Sequence, residues 1–205
     1  IFGAVSAASI FGAQYFGNGD HRGHMHSFRF KLYATLLVSG LTMLLLLTKG
    51  SDLISLYLTD TAGNGATGVA LQYGKQYLVI MLVGLVPFAV NQAYATNIKE
   101  TGQTLVPMLA SFVAVGTNAV LDYLLIFGVG PFPELGVTGA ALATVIARYV
   151  EAVIVVFWAH RNREKNRYLE GAYRGFGIPV SELKTVLIKG LPLMFNEVLW
   201  AAGMT

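Results

Sequence analysis

Seven side chains sit where chemistry is expensive. Asp122, Glu151, Glu197, Lys75, Arg148, Asn118 and Thr144 all fall inside long apolar runs. A charge at the centre of a membrane helix costs about 3 kcal/mol on insertion scales, so each such residue is a functional candidate by default. Asn118 and Asp122 are four residues apart and share one helical face. Thr144 lies on the next apolar run, which returns in the opposite direction. At 1.5 Å per residue, Asp122 is roughly 7 Å and Thr144 roughly 10 Å below the same end. A carboxylate, an amide carbonyl and a hydroxyl at one level make an oxygen-lined cation site. The same three groups also make a desolvated carboxyl able to carry a proton. Lys75 comes to nearly the depth of Asp122, and a plain structural ion pair between them would satisfy both. Arg148 and Glu151, three apart on one helix, read as a local pair. Glu197 sits near the middle of its run with Asn196 beside it, open to either a functional or a structural reading.

Positioning such groups takes helices, and the composition supplies little else. Of 205 residues, 55% are hydrophobic, 23 are Gly and only 12% are charged, against about 25% charged in a soluble domain. The mean hydropathy is +0.59. This excludes disordered tails and nucleic-acid-binding domains, and the absence of Cys excludes thiol catalysis and Cys-based metal sites. Six apolar stretches, 1–16, 28–48, 70–97, 105–127, 137–159 and 188–205, read as helices, since a backbone in lipid must pair its own polar groups. Pro87 is expected to kink the third, and Pro107 opens the fourth, where a missing N–H costs nothing. Segment 51–60 reads as a short amphipathic piece at the interface. Small residues from Gly136 to Ala141 let helices approach closely. Ile1 in place of Met, and an apolar run still open at Thr205, read as an internal fragment of a longer protein.

Lys and Arg gather in alternate connections. Arg22, Arg29 and Lys31 precede or open the second stretch, Lys99 follows the third, and seven more lie between His160 and Lys189. The other two connections hold only Lys49. By the positive-inside rule, loops 17–27, 98–104 and 160–189 are cytoplasmic. His21, His24 and His26 read as residues of a solvated loop. Gly17-Asn18-Gly19-Asp20 matches the G-x-G-D pattern of intramembrane aspartyl proteases, but at the end of a span it reads as a turn.

Several segments, taken together, resemble one family. Ala8 to Asp20 (ASIFGAQYFGNGD) resembles the end of the second helix of multidrug and toxic compound extrusion (MATE) transporters. Asn118 to Gly128 (NAVLDYLLIFG) is similar to their fifth helix and Leu135 to Thr144 (LGVTGAALAT) to the start of their sixth. Gly190-Leu191-Pro192 with Asn196-Glu197 is similar to the opening of their seventh. The resemblance implies an all-α polytopic membrane protein, a six-helix-lobe fragment of a twelve-helix alternating-access transporter. Residues 1–159 would be helices two to six of the N-lobe, 160–189 a cytoplasmic basic linker, and 190–205 the start of the C-lobe. It implies a cation-coupled antiporter of the bacterial inner membrane, not an enzyme, that exchanges Na⁺ or H⁺ for organic cations. It needs no cofactor beyond the coupling ion, binds no nucleic acid, and at full length is expected to be monomeric. Asp122, Asn118 and Thr144 fall on the polar positions of the family's N-lobe cation site, and Glu197 on an acidic position of the C-lobe. Tyr123 stands where other members carry Pro, which puts the helix bending proposed for them in doubt here. The alternatives are a lipid-linked saccharide flippase of the same superfamily, whose cavity would call for more Arg or Lys than Lys75 and Arg148, and a non-transporting membrane scaffold.

Overall fold

The structure, a computed structural model, describes residues 1–57, 66–175 and 177–203. Its helices are α1 (Phe2–Gly17), α2 (His21–Tyr57), α3 (Ala66–Val83), α4 (Leu85–Glu100), α5 (Leu105–Phe127), α6 (Val137–Arg161) and α7 (Val180–Gly203), with a 3₁₀ turn at Arg167–Leu169. No strand occurs among the described residues. Four stretches are long and apolar enough to cross a membrane: His21–Ser55, Gly68–Glu100, Leu105–Phe127 and Val137–Arg161. Large apolar side chains such as Leu37, Leu44, Phe112 and Phe157 lie exposed on them, the reverse of a water-soluble helix and a surface suited to lipid.

The helix ends follow from local chemistry, and they correct four expectations. α1 stops at a turn in which Gly19 takes φ +72°, a conformation that favours glycine. Asp20 then accepts the Gly23 N–H through Oδ1 at 2.9 Å, the N-cap that starts α2. Residues 21–27 are therefore helical, and only 18–20 form the connection expected over 17–27. The histidines do not lie in a solvated loop: His24 is 1% exposed. Segment 51–60 is not a separate piece, because 51–57 continue α2; positions 58–60 lie outside the described residues. At the other connections, 98–100 close α4 and 180–189 open α7, so among the described residues the parts outside the α-helices are 101–104, 162–175 and 177–179, with the 3₁₀ turn inside the second of these. The expected kink is a break. Pro87 has no N–H for the carbonyl four residues back, and its ring crowds that carbonyl at Val83. The chain turns at Gly84, whose N–H bonds Met81 O at 3.0 Å, and Phe88 N–H resumes the helix on Gly84 O.

The chain divides into two compact units. Unit one comprises 1–38, 89–110 and 152–205; unit two comprises 39–88 and 111–151. Unit one has an aromatic core of Phe28, Tyr94 and Tyr168 with Ile98 and Val155, all but closed to solvent. Phe28 meets Tyr94 edge-on at 5.0 Å and Tyr168 at 5.1 Å. Buried Arg29 fixes the segment after the 3₁₀ turn, donating to the carbonyls of Gly171, Ala172, Arg174 and Gly177 at 2.7–3.2 Å. α7 packs along α1, close enough that a Cβ on Gly190 would fall 2.4 Å from the Cβ of Ala7. His26 of α2 bonds Glu182 of α7 at 2.9 Å.

In unit two, α5 and α6 are joined by a tight connection. Gly128, at φ +63°, leaves no room for a side chain beside the Glu134 backbone, and Leu135 N–H bonds Leu125 O at 2.9 Å. The small-residue run then does what its composition predicts: a Cβ on Gly139 would lie 2.6 Å from the carbonyl oxygen of Leu125. That approach sets the spacing of the two helices that carry the polar candidates.

Candidate cation site

The candidate site belongs to unit two and is built on α5 and α6. Asn118 and Thr144 face each other across the two helices, with Asn118 Nδ2 to Thr144 Oγ1 at 3.5 Å. Thr144 donates its own hydroxyl to Ala140 O at 3.0 Å, which leaves the oxygen's lone pairs free to accept. Asp122 lies one turn along α5. Its Oδ1 is buried and has no hydrogen-bond partner among the described residues. A buried carboxylate oxygen without a donor is an unmet electrostatic demand, which a cation or a proton can meet. Lys75 is exposed, and the ion pairs found among the described residues do not join it to Asp122. The structural alternative for Asp122 therefore has no counterpart in the geometry.

Asn118 and Thr144 line a cavity of about 180 Å³ that continues to Ser111, Arg148 and Glu151. The local pair expected of the last two is present, Arg148 Nη1 to Glu151 Oε2 at 3.5 Å. Glu151 also accepts the Ser111 hydroxyl on Oε1 at 2.6 Å, and the Arg148 guanidinium lies over the Phe88 ring, 5.3 Å from its centroid. Asp122 is not part of the cavity lining. Glu197 is half-buried on α7 and belongs to unit one, whereas the α5–α6 cavity belongs to unit two.

Sequence reasoning missed a second charged constellation, in unit one. Lys31 is fully buried and forms an ion pair with Glu100 Oε1. The other Glu100 oxygen meets His24 Nε2 at 3.2 Å, and Lys31 Nζ reaches Asn97 Oδ1 at 3.4 Å. The carboxylate lies against the backbone of α1, where a Cβ on Gly12 would collide with Oε2 at 2.2 Å. The signal was the spacing of His24, Ser27, Lys31 and Thr35, a polar stripe along one helical face. Read as a loop end, it went unused. Tyr168 packs against His24 with ring centroids 4.9 Å apart and the ring planes tilted by 57°. Burial, with Tyr173 and Glu100 nearby, raises the Tyr168 phenol above its ordinary value and keeps it neutral. The described residues contain no group of three His, Cys, Asp or Glu able to hold a metal ion.

Long helices with exposed apolar surfaces and polar side chains gathered at a small cavity between two of them define a multi-pass membrane protein. The chain belongs to the MatE family, whose profile matches residues 1–124. A probable multidrug resistance protein NorM of Thermotoga maritima is 31% identical over 132 residues, 63% of this chain and 27% of that protein. A protein of the same description from Bacillus licheniformis is 29% identical over 162 residues, 78% of this chain and 35% of that one. The fold matches a crystal structure of MATE in the bent conformation with a TM-score of 0.80 at 23% identity, covering 98% of this chain and 42% of the other. The chain thus spans about a third or less of the length of these curated relatives.

Proposed function

We propose that the protein is a secondary transporter that exports organic cations across the bacterial inner membrane in exchange for Na⁺ or H⁺. The observation that carries this reading is the buried, unpartnered carboxylate oxygen of Asp122 one helical turn from the Asn118–Thr144 pair. Such a group accepts a cation from one side and must give it up before it accepts another. Substrate and coupling ion therefore compete, directly or through conformation, because each neutralises the same negatively charged region of α5 and α6. Membership of the MatE family and the multidrug-resistance names of the relatives support the same reading. Asp122 is the coupling carboxylate, Asn118 and Thr144 supply supporting oxygens, and Glu197 is a second acidic position. No further cofactor is invoked, and the protein acts as a monomer.

The test is cation-dye efflux from vesicles that hold the protein at its native length, wild type against Asp122→Asn, driven in turn by a Na⁺ gradient and a pH gradient. Efflux in the wild type, lost in the variant at equal membrane yield, is the expected result, and the gradient that works names the ion. Gradient-driven efflux that survives in Asp122→Asn moves the coupling site to Glu197. An inert wild type favours a flippase or a scaffold.

A further inference from the structure

We propose that Glu151 is a second cation-binding carboxylate of the α5–α6 cavity, that it takes the ammonium group of an organic cation, and that Arg148 is a tethered surrogate which that ammonium displaces. The inference rests on the transport reading above and adds a site to it. Glu151 lies seven residues beyond Thr144 on α6, about 10 Å along the helix, and lines the same cavity as Asn118 and Thr144.

Three observations point to exchange rather than to a fixed structural pair. The Glu151 side chain is 9% exposed but that of Arg148 is 46% exposed, and they meet through a single contact at 3.5 Å. A single contact at that distance is longer than a well-formed charge-assisted hydrogen bond, about 2.7–2.9 Å, and leaves the buried carboxylate incompletely satisfied. In the same position the guanidinium lies over the Phe88 ring, whose face attracts a cation, so Arg148 keeps that contact when an ammonium takes its place at Glu151. Glu151 Oε1 is oriented by the Ser111 hydroxyl, so the carboxylate stays aimed while its counter-ion changes. The cavity, about 180 Å³, is smaller than the roughly 300 Å³ at which drug-sized sites begin. It suits a charged head group, with the rest of the substrate outside it.

The experiment is equilibrium binding of tetraethylammonium to the purified protein at its native length in detergent, without any gradient, so that it does not depend on transport. Glu151→Gln is expected to weaken binding on the order of tenfold, the effect of losing one buried charge partner. Arg148→Gln is expected to tighten it severalfold by removing the competitor, a gain that a misfolded variant does not give. Unchanged or weaker binding in Arg148→Gln, binding by Glu151→Gln equal to wild type, or no binding by wild type would each overturn the proposal. A parallel Na⁺ titration separates the occupants: if Na⁺ affinity responds to both substitutions and tetraethylammonium affinity to neither, the site belongs to the metal ion and the organic-cation assignment fails. Wild-type efflux that depends on Asp122, together with tetraethylammonium binding indifferent to Glu151 and Arg148, would leave the transport reading standing and sink this one alone.

Discussion

Lys31 and Glu100 are the residues whose removal the fold would feel most. Both side chains are almost wholly shielded, at 0% and 5% exposure, and His24 and Asn97 complete the network. Removing one partner of a buried pair strands the other charge, which costs about 3–5 kcal/mol. Glu100→Gln is therefore expected to lower the thermal unfolding midpoint sharply in detergent. Replacing both, as Lys31→Met with Glu100→Leu, is expected to be much milder, because no charge is left uncompensated. A double variant as unstable as Glu100→Gln would mean that packing, not charge, holds this corner together. The sequence made Asn118 and Thr144 legible because helix rise converts position into depth. It hid Lys31 because the partner lies 69 residues away, and near a helix end a Lys with a distant partner looks like any solvated Lys.

Among the elements, the α5–α6 pair decides whether the candidate site exists at all. Its spacing is set by Gly139 against the Leu125 carbonyl, a backbone atom that cannot rotate away. Gly139→Leu forces the helices apart, with an overpacking penalty of about 1–3 kcal/mol, and carries Thr144 away from Asn118. Gly116 on α5 is the control, since a Cβ there meets nothing within 4 Å. Gly116→Ala is expected to be neutral or to stabilise by at most about 1 kcal/mol, the ordinary helix-propensity gain. Thermal unfolding of the two variants, with dye efflux alongside, checks both statements. Equal stability in Gly139→Leu and wild type would show that the close approach is not required. Helix existence and the small-residue contact could be read from composition and period. The helix ends were harder, since nothing in a list of polar residues says that His24 and Lys31 will be paid back by tertiary partners and stay helical. Pro87 announced a disturbance, but its form depended on Gly84, which lets the chain turn where the Val83 carbonyl loses its donor.

At the scale of the whole molecule, charge is divided very unevenly. Eleven of the fourteen Lys and Arg belong to unit one and three to unit two. Unit one also holds the connections 18–20, 101–104 and 162–179, while 128–136 belongs to unit two. If these connections obey the positive-inside rule, then 162–179 faces the cytoplasm and 128–136 faces outward, with Asp122 roughly 7 Å below the outer end. These 205 residues contain no Cys, so a single cysteine introduced among them is read against the unsubstituted protein as the control. Glu134 and Lys165 are both exposed, which makes Glu134→Cys and Lys165→Cys suitable reporters. In intact cells, a membrane-impermeant maleimide is expected to label Glu134→Cys at once and Lys165→Cys only after permeabilisation. The reverse pattern would invert the topology and move Asp122 from the outer end of the pathway to the inner one. A cation reaching it from outside would then have to cross most of the protein first, so the labelling result fixes which gradient acts on the site directly.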